Sequence, residues 1–317
     1  MRILITGISG FIGGHLVERL LAEGGHAVAG FSREVAWPTE LAHLASKITY
    51  HTANLLETSA IEQIIRDFKP DWLFHLAGYA SAGKSFREPE TCWTANLAGT
   101  QSLFTAVERS GVRPRILFAS TGLVYGDPEP GHEAFDESAT LKPASPYATS
   151  KAAADLLAYQ VTRHPGLDVV RVRMFNQIGP RQTADYAVAN FARQIAEAER
   201  GLRTPVIETG DLSGMRDLTD VRDMTAAYCL LQAKARTGDV YNVGSGRVWR
   251  MSDILDQLRS LSSVPVEVRQ TVDVRRGADT AVSRADPRKI VADVGWKPQY
   301  ELADSLRDIL DYWRNRT

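Results

Sequence analysis

Ser145-Pro146-Tyr147-Ala148-Thr149-Ser150-Lys151 sets a phenol and an ammonium four residues apart. That spacing puts both side chains on one face of a helix. A tyrosine of ordinary pKa, near ~10, keeps its proton at neutral pH, and a cation beside it favours the phenolate. The pair can therefore exchange a proton with an oxygen whose charge is changing. Tyr-x-x-x-Lys alone is common on helix surfaces, but a second piece precedes it. Phe118 to Gly126 (FASTGLVYG) carries a hydroxyl pair, Ser120 and Thr121, at the carboxyl end of an apolar run. Thr121 is placed to hydrogen-bond the same substrate oxygen as Tyr147. Together the three residues suit carbonyl reduction.

Such a reaction needs a hydride, and the first twenty residues offer a seat for its carrier. Arg2 to Thr6 is a short apolar run; Gly7, Gly10 and Gly13 follow, and Phe11, Ile12, Leu16, Leu20 and Leu21 recur at helical spacing. Strand, glycine turn and helix aim backbone N–H groups and the positive end of a helix dipole at one point, which suits a pyrophosphate. The spacing is a variant of G-x-G-x-x-G. At the end of the next apolar run stand Ser32 and Arg33, where an acid would hold a ribose 2′-hydroxyl. A hydroxyl and a guanidinium suit a 2′-phosphate, which favours NADP and leaves NAD possible. Asn54 and Leu55 follow the third run, towards the adenine. His75, Leu76, Ala77 and Gly78 follow the fourth, beside the pyrophosphate and ribose.

These groups need a sheet to align them. Apolar runs at Arg2–Thr6, Ala27–Phe31, Ile48–His51, Asp71–Leu76, Arg115–Ala119 and Val169–Met174 alternate with helical patterns, among them Ala60–Asp67, Pro89–Ser110 and Ser145–Thr162. Repeated β–α units predict an α/β fold, a Rossmann-type doubly wound parallel sheet. Beyond Gly179 the rhythm is irregular. Helices are expected at Ala187–Glu199, Val221–Gln232 and Met251–Ser260, and strands at Val206–Ile207, Val240–Val243 and Val264–Val268. The expected organisation is a dinucleotide-binding domain over 1–178, with parts of 210–245 returning to it, and a smaller C-terminal substrate-binding lobe over 179–317.

The bulk numbers narrow the classes. A net charge of −1 over 317 residues predicts no general attraction to nucleic acid or to an anionic membrane. No run approaches the ~20 apolar residues of a membrane helix, and the N-terminus lacks a signal-peptide pattern. No Cys/His cluster has metal-ligand spacing, so no metal is expected. Cys92 and Cys229 sit in apolar helical patterns and read as reduced core residues, consistent with a cytoplasmic protein.

TGISGFIG, Thr121 and Tyr147-x-x-x-Lys151, in that order, resemble the extended short-chain dehydrogenases/reductases, the nucleotide-sugar epimerase, dehydratase and reductase group. The resemblance runs through Gly295-Trp296-Lys297-Pro298. It implies a cofactor turn of Gly7, Ser9, Gly10, Phe11, Ile12 and Gly13, with Thr121, Tyr147 and Lys151 catalytic and Lys151 on the nicotinamide ribose. The family's dehydratases carry a glutamate two residues after the catalytic Thr. Leu123 stands there and cannot move a proton, which argues against dehydration. MFNQIGPRQ (174–182), GDLSGMRDLTDVRDMTAAY (210–228) and TGDVYNVGSG (237–246) are similar to the branch acting on GDP-linked sugars, above all its reductases of 4-keto-6-deoxy sugars.

That branch implies substrate contacts from Asn176 and Arg216 to the diphosphate, with Gln177 and Arg181 along its channel. Arg193 and Asn190 would lie at the base and Ser85 at the sugar. Arg276 falls where the family has an Arg-Pro-x-Glu motif, here with Gly277 and Asp279. Plain structural readings compete: an Arg216–Asp217 salt bridge, a helix-capping Ser85, helix-surface exposure of Asn190 and Arg193. A homodimer through a four-helix bundle is implied as well. Two other functions use the same residues: a 4-epimerase with tightly held NAD, and a non-catalytic NADP-sensing protein.

Overall fold

The computed structural model describes residues 1–129, 134–271 and 282–316. In chain order the elements are β1 (Arg2–Thr6), α1 (Phe11–Glu23), β2 (Ala27–Ser32), β3 (Thr49–Thr52), α2 (Thr58–Phe68), β4 (Trp72–His75), α3 (Ala82–Ser85), α4 (Pro89–Trp93), α5 (Gly99–Ser110), β5 (Arg115–Thr121), α6 (Pro146–Arg163), β6 (Val169–Met174) and β7 (Asn176–Ile178). There follow α7 (Ala187–Glu199), β8 (Val206–Thr209), β9 (Met215–Asp220), α8 (Val221–Lys234), β10 (Val240–Val243), β11 (Val248–Arg250), α9 (Met251–Ser260), β12 (Glu267–Gln270), β13 (Val282–Ser283), α10 (Arg288–Val294) and α11 (Leu302–Arg314).

Seven strands form one sheet in the order β10-β6-β5-β4-β1-β2-β3, every neighbouring pair parallel. One face is covered by α1, α8 and α10, where Leu16, Leu20, Met224, Tyr228 and Ile290 are buried against Ile3, Ile5 and Val172. The other is covered by α2, α5 and α6, with Ile61, Leu103, Phe104 and Ala154 against Leu4, Leu73 and Phe118. This is the expected doubly wound sheet. The strand order reverses beside β1, between β2 and β4, and the crevice beyond the strands' carboxyl ends at such a point is where open α/β sheets take ligands. The chain returns to this layer through α8 and β10. A third core lies among α7, α9, α11, β8 and β9, built on Phe191, Ile195, Ile254, Leu255 and Ile309. Among the described residues no helix is long and apolar enough to cross a membrane.

Several elements depart from expectation. Pro89–Ser110 is helical throughout, as expected, but not α-helical throughout. A π turn at Thr94–Ala98 separates α4 from α5; such a turn widens the helix locally and frequently marks a functional site. The expected strand at Val264–Val268 lies further on, as β12, because Pro265 has no N–H to give a ladder. Strand β9 and helix α11 were not legible as elements in the sequence. The alanine-rich face of α6 packs on the sheet, with Ala154 and Ala158 fully buried.

Candidate active site

The glycine turn is dictated by crowding. Gly7 has φ +70°, and a side-chain carbon there would meet the Ala77 nitrogen at 2.9 Å. One at Gly13 would meet the carbonyl oxygens of Gly7 at 2.4 Å and Ile8 at 2.7 Å. Only glycines let β1, the exit of β4 and the start of α1 approach this closely. Gly10 is the N-cap of α1 with no side-chain capping bond, so Ser9, Phe11 and Ile12 frame a helix N-terminus whose first N–H groups lack intrahelical partners. That is a seat for a pyrophosphate.

A neutral buried network holds the exit of β4 beside it. Thr6 Oγ1 accepts from Ala77 N at 3.0 Å and donates to His75 Nδ1 at 2.8 Å. His75 Nε2 donates to Thr100 Oγ1 at 3.0 Å, and that hydroxyl donates to the Asn96 carbonyl at 2.5 Å. Burial, with the Lys151 charge second, lowers the His75 pKa to about 3, so the ring is neutral and every polar atom in the chain is satisfied. Leu76, Ala77 and Gly78 emerge from this network towards the crevice.

At the end of β2, Ser32 Oγ is 2.6 Å from Tyr50 OH. Arg33 is exposed and makes no hydrogen bond or ion pair among the described residues. Asn54 closes the turn before α2, its Oδ1 accepting from Leu56 N at 3.1 Å, while Leu55 is buried against Gly99.

Helix α6 starts as its sequence dictates. Ser145 Oγ accepts from Ala148 N at 3.1 Å, and Pro146 fills the first turn. Tyr147 follows; burial raises its pKa well above the ordinary tyrosine value, with the Thr121 hydroxyl acting weakly the other way. Thr121 Oγ1 also accepts from Leu123 N at 3.2 Å. Lys151 is buried; its Nζ donates to the Ala119 carbonyl at 2.6 Å and lies 5.0 Å from the Phe118 ring centre. Burial lowers its pKa to about 8, the Asp155 carboxylate opposing. The expected lowering of the Tyr147 pKa by Lys151 is not seen. Desolvation governs, and the phenol is firmly protonated. A protonated phenol beside a hydroxyl is a proton donor for an oxygen lodged between them.

Two positioning groups escaped the sequence reading. Asn96, in the π turn, donates to Ser150 Oγ at 2.9 Å and accepts from Tyr79 N at 2.9 Å. Its only signal was a polar residue in an apolar helical pattern. Asp155, one turn after Lys151, is fully buried and binds Arg171 at 2.7 Å and Arg173 at 3.1 Å.

The expected substrate residues divide. Ser85 is fully buried; its hydroxyl donates to Ala82 O at 2.6 Å and accepts from Tyr147 N at 3.2 Å. It thus fixes the first turn of α6, while Ser81 caps α3. Asn176 and Arg216 lie on β7 and β9, two strands of the lobe's sheet; Asn176 Nδ2 is 3.4 Å from Asp217 O. No Arg216–Asp217 bridge accounts for them, because neighbours on a strand face opposite sides. The Asp217 carboxylate accepts instead from Ser245 N and Oγ, Gly246 N and Ala285 N. Arg181 forms a bidentate pair with Glu18 of α1, at 2.9 and 2.6 Å, and braces the crossover to the lobe. Gln177 turns to Phe175 O. Arg193 pairs with Glu197 at 2.6 Å and with Asn190 at 3.0 Å along α7. Arg276 lies outside the described residues. Both cysteines are free and buried, Cys92 within 3.4 Å of Ser150 Oγ. Among the described residues no cluster could hold a metal.

The profile of the GDP-mannose 4,6-dehydratase family matches residues 4–309. The chain belongs to this family. Within it, the chain is 33% identical over 315 residues to GDP-6-deoxy-D-mannose reductase of Pseudomonas aeruginosa, covering 99% of this chain and 98% of that one. It is 32% identical over 320 residues to UDP-glucose 4-epimerase of Mycolicibacterium smegmatis, covering both chains fully. The structure of RMD from Pseudomonas aeruginosa complexed with NADPH superposes with a TM-score of 0.87 at 32% identity, covering 100% of this chain and 99% of that one. Thermus thermophilus UDP-glucose 4-epimerase, solved with NAD, superposes at 0.89 and 30% identity over both full chains. The extended short-chain dehydrogenase/reductase fold expected from the motifs is the fold of this family.

Proposed function

We propose that the chain is a nucleotide-sugar 4-ketoreductase acting on a GDP-linked 4-keto-6-deoxy sugar, GDP-4-dehydro-6-deoxy-D-mannose giving GDP-D-rhamnose. The observation that carries this is the set of Thr121 at the carboxyl end of β5 with Tyr147 and Lys151 in the first turns of α6, and leucine rather than an acid two residues after Thr121. Thr121 holds the C4 oxygen and Tyr147 donates its proton as that oxygen becomes an alcohol. A positioned acid of this kind contributes about 10²–10⁴-fold. Bound NADPH would supply the hydride to C4. The N-terminus of α1 fits its pyrophosphate, Arg33 its 2′-phosphate and Lys151 the nicotinamide ribose. Asn176 and Arg216 take the substrate diphosphate, whose binding orients a ketone far from it. The NADPH complex of a similar reductase supports the cofactor choice.

The 4-epimerase reading keeps specific support, because an epimerase is almost equally similar over the whole length. It would require the same groups to pass a proton both ways with NAD retained. One assay separates the two. Purified chain with GDP-4-keto-6-deoxy-mannose and NADPH should consume one NADPH per sugar, read by absorbance. Interconversion of a UDP-sugar without NADPH loss would overturn the reductase reading. We infer also that the chain works in the cytoplasm as a homodimer. Trp93 of α4 and Leu156 and Tyr159 of α6 are exposed on the two helical segments expected to form the bundle, and sedimentation would give a mass twice the 34.9 kDa of one chain.

A further inference from the structure

The loop over residues 79–86 is fastened to three different parts of the molecule. At its start, Tyr79 N donates to Asn96 Oδ1 in the π turn at 2.9 Å. Near its end, Ser85 Oγ accepts the Tyr147 N–H at 3.2 Å, in the first turn of the catalytic helix. Between these, two contacts reach it from the start of α7 in the substrate lobe. Tyr186 OH donates to the Ala80 carbonyl at 3.1 Å, and Lys84 Nζ pairs with Asp185 at 2.7 Å.

The fastenings are unequal. Ser85 and Asn96 are buried, and bonds there are costly to leave unmade. Lys84 and Asp185 are each 53% exposed, a setting in which ion pairs are weak and salt-sensitive. Tyr186 is 39% exposed. The loop therefore stays with the catalytic helix and gives way on the lobe side.

We propose that Asp185 and Tyr186 are a latch by which the substrate lobe, on closing over a sugar nucleotide, sets the position of Tyr147 through the loop and Ser85. Tyr186 is then a positioning residue. This rests on the ketoreductase reading for its substrate, but the mechanical link is a property of the chain alone.

Two readouts test it. In steady state with GDP-4-keto-6-deoxy-mannose, Tyr186→Phe should raise the sugar KM about three- to tenfold, the size of one neutral hydrogen bond. It should also lower kcat by a similar factor, because Tyr147 is then less well held, and leave the NADPH Kd within about twofold. Added salt should raise the sugar KM of the wild type more steeply than that of Lys84→Met, and the double exchange Lys84→Asp with Asp185→Lys should restore the wild-type value. In hydrogen exchange of the chain without ligand, the Tyr79 amide should exchange faster in Tyr186→Phe than in the wild type. Active variants with unchanged KM and unchanged Tyr79 exchange would overturn the latch and leave the ketoreductase reading standing. A wild type that consumes no NADPH, but whose Tyr79 exchange responds to residue 186, would overturn the substrate and keep the latch. Equal loss of NADPH and sugar affinity would mark a merely structural role and also overturn it.

Discussion

Lys151 and Arg181 are both cations that motif spacing nominates for a ligand, and the two regions hold them in opposite ways. On α6, Lys151 is buried against a backbone carbonyl and an aromatic ring, with Asp155, one turn on, already bound by two arginines. At the crossover to the C-terminal lobe, Arg181 is closed off by both oxygens of Glu18. Around the glycine turn and the exit of β4 the sheet half uses backbone geometry and neutral hydrogen bonds, and its buried ion pairs, Asp155 with Arg171 and Arg173, lie behind Lys151. The lobe's crossover and α7 use ion pairs, which satisfy arginines before any ligand arrives. A cation is available to a substrate only where the fold has not supplied its carboxylate.

The sharpest way to break this contrast is at Tyr147. Tyr147→Phe removes the proton donor and keeps the ring, so kcat should fall about 10²–10⁴-fold. The NADPH Kd, set by the glycine turn and Arg33, should stay unchanged by fluorescence titration. Activity within tenfold of the wild type would show that the proton comes from elsewhere.

The neutral networks of the cofactor half should also fail by protonation. The His75 pKa is lowered from 6.5 to about 3, and burial lowers that of His15, bonded to Pro180 O, to about 4. Below pH 6.5 the unfolded chain takes up protons at these rings that the folded chain refuses. Stability is therefore lost as pH falls through that window, at a limiting slope of about 1.4 kcal/mol per pH unit for each ring. Melting followed from pH 7 to 4.5 should show Tm falling, and imidazole resonances should show both rings neutral at pH 5. Rings titrating near 6.5 would remove the effect.

A smaller change is expected at high pH. With its folded pKa at about 8, Lys151 loses its charge well before an ordinary lysine. The kcat/KM for NADPH, which reports the free chain, should decline above about pH 8 with a one-proton slope. Tyr147 contributes no limb there, because burial holds its pKa above the ordinary value. A profile flat to pH 10 would mean that the ammonium is better solvated than its burial implies.

What the sequence disclosed follows the same division. Gly7 and Gly13 are legible because no other residue fits where a would-be side chain meets the Ala77 nitrogen at 2.9 Å, at Gly7, or a carbonyl oxygen at 2.4 Å, at Gly13. Ser145, Pro146 and the Tyr147–Lys151 spacing are legible because caps and helical faces are local. The partner of Arg181 stands 163 residues away on α1, and nothing local announces it. In the π turn, Asn96 reaches Ser150, 54 residues on. Strand β9 reads as polar, MRDLTD, because its buried Asp217 is satisfied by backbone N–H groups of a distant turn. Residues whose role is set by the backbone could be read; residues whose role is set by a distant partner could not.

That division is tested most finely by two arginines changed in parallel. Arg33 has no partner among the described residues, so Arg33→Ala should leave Tm unaltered. It should weaken NADPH about 10- to 100-fold, the size of a charge-assisted bond, and leave NADH almost untouched. Arg181→Ala should do the reverse. Glu18 loses the guanidinium that holds its pKa down, and α1 loses its brace. Because the pair is partly solvated, the loss should be about 1 kcal/mol, or roughly 2–3 °C in Tm. NADPH and sugar-nucleotide affinities should move by less than twofold. If Arg181→Ala instead raises the sugar-nucleotide KM without lowering Tm, Arg181 exchanges Glu18 for the diphosphate on binding. The crossover's ion pair would then be a resting state, and the contrast with Lys151 would narrow to the ligand-free chain.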